Sequence, residues 1–165
     1  MGDWTGTVPS MAAGSKDRAS EDQTLADIAT ALTAAWTTWV PSLTNLTVGT
    51  TPLVAKYRRV GKTVDWKLRF AFSAGAAVGT TPTFSLPATP ASDYVVSGEF
   101  LFPGTVWLLD SGTRFQQGAL RHDSSGVVTL VPWTAINSTG GIDATTPWTW
   151  ATGDSINAYG TYETA

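Results

Sequence analysis

The chain contains no cysteine, which excludes disulfide bridges, thiolate metal sites and a cysteine nucleophile. A cysteine-free protein is equally suited to reducing and oxidising surroundings. Histidine occurs once, as His122, beside Asp123, Ser124 and Ser125. Sequence neighbours in a turn do not adopt the geometry that nucleophile, base and orienter require, so His122 reads as a surface turn residue. Charge is sparse: 14% of the 165 residues, against about a quarter in an average protein. The net charge of −3 is too small to argue for a nucleic-acid or membrane partner. No apolar run approaches the ~20 residues needed to cross a bilayer. Met1-Gly2-Asp3-Trp4-Thr5-Gly6 lacks the basic residues and apolar core of a signal peptide, so synthesis in the cytoplasm without membrane insertion is expected. There is no phosphate-binding glycine loop, no zinc spacing and no Asp-x-Asp-x-Asp-Gly calcium loop. Neither a cofactor nor an enzymatic activity is expected.

What the chain does contain is 42% apolar residues, 8 tryptophans, and serine and threonine at most polar positions. That is the composition of a β-protein with hydroxyl-covered faces. The length suffices for one domain and a short appendage. The texture changes near Pro41, which divides the chain into an arm (1–19), a helix (20–40) and a β-domain (41–165).

In the arm, Trp4, Val8 and Met11 are the only larger apolar groups after Met1. Such a stretch cannot offset its own ordering entropy, so these three are expected to dock on a partner. From Ser20 to Val40 the pattern is helical. Ser20 and Gln23 form a capping box, Glu21 and Asp22 favour the positive end of the helix dipole, and Pro41 terminates it. Leu25, Ile28, Leu32, Ala35 and Trp39 recur at steps of three and four, and Trp36 widens the stripe. This seam is either packed on the chain's own domain or forms a three-helix bundle. At under three heptads the bundle is too short to hold a trimer alone, so the following domain would supply most of the association.

Beyond Leu43 the signals are strand and turn. Thr63–Phe72 alternates Val64, Trp66, Leu68, Phe70 and Phe72 with Asp65, Lys67, Arg69 and Ala71, and pairs with Leu53–Val60 across Gly61-Lys62. Further strands are expected at Tyr94–Phe102, Thr105–Asp110, Thr113–Arg121, Val127–Val131 and Ser155–Glu163. Thr-Thr-Pro recurs at Thr50–Pro52, Thr80–Pro82 and Thr145–Pro147 and reads as repeated turns. The expected fold is mainly β, an antiparallel β-sandwich of jelly-roll type.

Six of the 10 basic residues, among them Lys56, Arg58, Lys67 and Arg69, lie on the central hairpin. They form either a solvated face or a contact for an acidic surface, on a neighbouring subunit or a cell-wall polymer. Trp107, Trp133, Trp148 and Trp150 lie near turns, where they either fill interfaces or stack on sugar rings. Carboxylate pairs for glycoside hydrolysis could be drawn from Asp93, Glu99, Asp110, Asp123, Asp143 and Asp154, but nearly all sit in turns.

Several blocks carry a family likeness. They are Thr7-Val8-Pro9-Ser10, Ala34-Ala35-Trp36-Thr37-Thr38-Trp39, Pro41-Ser42-Leu43-Thr44-Asn45-Leu46-Thr47 and Ala55-Lys56-Tyr57-Arg58-Arg59-Val60-Gly61-Lys62-Thr63-Val64. Pro82-Thr83-Phe84-Ser85-Leu86-Pro87, Trp150–Ile156 and Gly160-Thr161-Tyr162-Glu163 follow in the same order. Together the chain resembles small virion proteins of tailed bacteriophages infecting actinobacteria, of the minor tail protein, tail fibre or head fibre type. The resemblance implies a homotrimer on the virion surface. An N-terminal segment would attach it to other phage structural proteins, on capsid or tail, and a β-domain would point outward for weak adhesion to a host cell-wall glycan. The chain lacks the shaft repeats of long fibres, which favours a position close to the particle. A free-standing carbohydrate-binding module and a polysaccharide depolymerase are the rival readings.

Overall fold

In a computed structural model of the chain, the described residues are 24–30, 33, 35–92, 104–122, 126–132 and 141–164. The chain divides into two units, Met1–Ala34 and Ala35–Ala165. In the first, residues 24–30 are helical, and Thr33 closes the last turn through its N–H and hydroxyl on the Ala29 carbonyl (3.0 and 2.7 Å). Among the described residues no helix is long and apolar enough to cross a membrane.

The second unit is mainly β and antiparallel, as expected. Its strands are β1 (Thr37–Thr38), β2 (Leu43–Thr47), β3 (Val54–Val60), β4 (Thr63–Ala71) and β5 (Ala77–Ser85). The C-terminal half adds β6 (Gly104–Asp110), β7 (Arg114–His122), β8 (Val127–Pro132) and β9 (Ser155–Glu163). They form one sheet in the order β1-β3-β4-β9-β6-β7-β8-β5-β2. Its two edge strands are consecutive in the chain, joined by residues 39–42 alone. Nine strands laid flat would place those edges about 38 Å apart, whereas four residues reach at most about 18 Å. The sheet must therefore curl until its edges meet, and the fold encloses its core as a sandwich does.

Trp39 holds the closure. Its N–H bonds to the Ala55 carbonyl on β3 (3.1 Å), and its indole N–H donates to the Ser85 carbonyl on β5 (3.4 Å). Its ring meets Tyr57 and Trp66 edge-on at 6.3 and 6.4 Å. Ser42 completes the seam: its carbonyl accepts from Ser85 N–H (3.0 Å) and its N–H donates to the Ser85 hydroxyl (2.9 Å). The inner face is packed by Val64, Trp66, Leu68 and Phe70 of β4 with Val106, Leu108, Leu120, Phe84, Leu130 and Ile156.

The helix expected through Val40 is corrected. Residues 35–40 are extended, because Thr37 and Thr38 are β-branched, Pro41 disfavours helical geometry at Val40, and burial of Trp39 outweighs helix propensity. Helical spacing puts Trp36 and Trp39 on one face; in extended chain an odd separation puts them on opposite faces. Ala35, Trp36 and Trp39 accordingly belong to the sheet unit and are not part of a helical seam.

The Gly61-Lys62 hairpin forms as expected, with Val60 opposite Thr63 and Gly61 at φ 60°. β5, by contrast, runs through Thr80-Thr81-Pro82, which reads as a turn in the sequence. Pro82 is tolerated because the ladder is interrupted there. Asn45 and Thr81 have positive φ, the register with β2 shifts between Thr44 and Leu46, and the Asn45 amide donates to the Thr80 carbonyl (2.6 Å). The expected strand Tyr94–Phe102 lies outside the described residues.

Tyr162 ties β9 to the segment after β5. Its hydroxyl donates to the Ala88 carbonyl (2.8 Å) and accepts from the Ala88 N–H (3.0 Å). Burial pushes its phenol from 10.0 up to about 12. A phenol whose pKa is raised on folding stabilises the fold below its unfolded value and loses that contribution as pH rises through the folded one. Urea unfolding should therefore show wild type losing stability between pH 10 and 12 more steeply than Tyr162→Phe. At neutral pH the variant should be about 1–2 kcal/mol less stable, because it leaves the Ala88 groups unpaired. Parallel alkaline limbs for the two proteins would contradict this role.

Candidate functional site

Alternation along β3, β4, β9, β6 and β7 sends every second side chain to the outer face, and the register aligns them in rows. One row runs Lys56, Lys67, Tyr159, Thr105; the next runs Arg69, Asn157, Trp107, Gln117. A third holds Arg58, Asp65 and Thr161. Trp36, just before β1, lies over this face. Lys67 Nζ sits 4.3 Å from its ring centroid and the Arg58 guanidinium 5.5 Å.

Between Trp36 and Tyr159 the face opens into a groove of about 500 Å³, bordered also by Arg58, Lys67, Thr105 and Thr161. Part of its floor is bare backbone, because Gly104 stands opposite Gly160. A Cβ on Gly104 would collide with the Tyr159 carbonyl and come within 2.7 Å of Gly160 Cα. Only glycine permits that approach.

The charges on this face are unevenly matched. Arg58 pairs with Asp65 at 2.9 Å, and Asp65 also accepts from the Thr161 hydroxyl at 2.7 Å. The Thr161 hydroxyl, together with the Arg58 guanidinium, holds the Asp65 carboxyl below its ordinary 3.8 against an opposing effect of burial, so the groove carries an ionised acid. Among the described residues, Lys56, Lys67 and Arg69 are paired with no carboxylate. Lys56 and Lys67 stand directly opposite each other on adjacent strands, an arrangement that destabilises a sheet.

The sequence-derived candidates divide clearly. Lys56, Arg58, Lys67 and Arg69 do share one face, and Trp107 joins them, exposed and tilted against Phe115 with ring centroids 5.6 Å apart. Trp148 is corrected as a glycan platform, while Trp150 is partly buried. Trp148 is buried in the core beneath Arg114, whose guanidinium lies 5.0 Å from its ring. Trp150 stacks on Phe72 at 4.6 Å and donates its indole N–H to the Asp143 carbonyl (2.8 Å). Both fill space around the loop before β9, where Pro-flanked tryptophans gain most by burial. Trp133, Trp4, Val8, Met11 and Leu32 lie outside the described residues, while Leu25 and Ile28 are exposed on the helix.

The carboxylates have local tasks. Asp154 is buried and accepts from the N–H groups of Ser111 and Ala151 (2.9 and 2.8 Å). Asp143 accepts from the N–H groups of Thr145 and Thr146 (2.7 and 2.8 Å), which, with the two threonine hydroxyls, hold its carboxyl below 3.8. Asp110 pairs with Arg114 at 3.3 Å. Asp93, Glu99 and Asp123 lie outside the described residues. Among the described residues no three acidic or imidazole groups cluster as a metal site.

Trp36, Tyr159 and Phe115 were not anticipated as surface residues. Tyr159 was legible from phase, because it alternates with the buried Ile156, Ala158 and Tyr162 of its strand, whereas Phe115 shares its phase with the buried Ala119 and was not. Trp36 was hidden by the helical reading of its segment. With this geometry established, no family model, curated protein or solved structure matches the chain. Fold and site define a curled antiparallel β-domain with a basic and aromatic outer face.

The Lys56–Lys67 opposition generates a measurable expectation. Lys56→Glu should raise unfolding stability by about 0.5 kcal/mol at low salt. The gain should vanish near 1 M salt, where the Debye length is about 3 Å. A gain that ignores salt, or none at all, would contradict the electrostatic account.

Proposed function

We propose that this protein is a bacteriophage virion structural protein. In this reading it is a trimeric short fibre or decoration protein, docked on capsid or tail through residues 1–19 and displaying its β-domain for weak adhesion to the host surface. One observation carries the assembly half of the reading. Leu25 and Ile28 stand 64% and 50% exposed on one edge of the helix, while residues 35–165 possess a closed core of their own. An exposed apolar edge on a helix, in a chain whose sheet unit has its own core, is accounted for best by burial against copies of itself. Supporting it also is the ordered run of sequence blocks that resemble those of phage virion proteins. Three weakly adhesive domains on one particle would gain avidity without any single tight site.

Light scattering and native mass spectrometry on the full chain are expected to give a trimer at micromolar concentration. Leu25→Asp combined with Ile28→Asp should give a monomer whose β-domain melts at the wild-type temperature. A truncation lacking residues 1–19 should remain trimeric but fail to enter particles. A monomeric wild-type protein would overturn the assembly reading.

A further inference from the structure

We propose that the groove between Trp36 and Tyr159 binds an acidic polysaccharide, specifically a chain of carboxylate-bearing sugars of the uronic acid type. The inference deepens the adhesion half of the proposed function and rests on it, but not on the trimer.

Three features select this ligand. First, Lys56 and Lys67 face each other across adjacent strands, with Arg69 one row away and no carboxylate on any of them among the described residues. A bound anion removes the repulsion that the free sheet retains. Second, Trp36 offers a partly exposed ring, held in place by Lys67 and Arg58, and Tyr159 offers a second across the groove. The C–H face of a pyranose stacks on such rings while its rim remains free for hydrogen bonds. Third, Asp65 is ionised inside the groove, alongside the hydroxyls of Thr105 and Thr161. A carboxylate there accepts sugar hydroxyls. A uronate supplies both a carboxylate for Lys56 and Lys67 and hydroxyls for Asp65. Phosphate polymers likewise carry an anion at every step, but internal nucleotides of DNA offer Asp65 no free sugar hydroxyl and a polyol phosphate offers fewer per charge than a uronate ring.

Phe115 and Trp107 extend the apolar surface along the neighbouring rows, Phe115 being 70% exposed. The contact thus suits several linked sugars lying across β4, β9 and β6 rather than a single one.

The test is calorimetric titration of the full-length protein with sodium polygalacturonate, dextran, polyglycerol phosphate and single-stranded DNA. Polygalacturonate is expected to bind with an affinity that falls as salt rises. Lys67→Gln and Trp36→Ala should each weaken it about tenfold, the loss of one charge-assisted bond or stacking contact. Lys62→Gln, on the hairpin turn, should bind as wild type. Should Trp36→Ala fail to fold, Arg69→Gln takes its place, with the melting temperature and scattering mass confirming the fold. Absence of polygalacturonate binding, equal affinity for dextran, tighter binding of polyglycerol phosphate or DNA, or wild-type affinity in Lys67→Gln would each overturn the proposal. A trimer that ignores polygalacturonate sinks this inference and leaves the assembly reading standing; a monomer that binds it does the reverse.

Discussion

The fold depends on the contact between the two edges of a single sheet. Residues 39–42 cross from β1 to β2, and Trp39 bonds to β3 on one side and β5 on the other while its ring closes over Tyr57 and Trp66. Without that bridge the inner faces of β3 and β5 would meet water, and the concave core would have an open side. With it, one face of each strand after the two-residue β1 is committed to the interior, leaving the opposite face outside the core. Half-burial of a tryptophan at the joint contributes both apolar area and a directional hydrogen bond, which a leucine there could not do.

That separation of faces explains the character of the outer surface. Its side chains are not selected for packing, and several arrangements on it work against stability: opposed lysines, exposed aromatic rings and a backbone floor that admits only glycine at position 104. Such features persist at sites where stability yields to binding. The outer face gathers them within five adjacent strands, whereas the polar groups of the loops at the end of the sheet are satisfied locally, as Asp143 and Asp154 demonstrate.

Most of the β-domain was legible in the sequence because period-two alternation survives wherever one strand face is buried. β3, β4, β6, β7, β8 and β9 fall where that pattern places them, within a residue or two. The failures have physical causes. β5 hid behind Pro82, whose position at a bulge no pairing pattern reveals in advance. The Trp36–Trp39 segment satisfies helical spacing and breaks period-two alternation, and only the core that Trp39 packs against makes it extended. The basic hairpin could be located but not interpreted, since the residues that turn it into a groove, Tyr159, Thr161 and Gly104, are distant in sequence and meet it only through β9 and β6. Trp148 misled because a tryptophan near a turn looks the same in sequence whether it stacks on a ligand or is buried in the core.

The central claim is that one face of this sheet builds the fold and the other recognises a carboxylate-bearing glycan. Nitrogen-15 NMR of the indole N–H groups tests it most directly, since the tryptophans are divided between the two faces. Addition of polygalacturonate should shift the Trp36 and Trp107 indole resonances and leave those of Trp39, Trp66 and Trp148 in place. Movement of the buried indoles while Trp36 stays fixed would contradict the account.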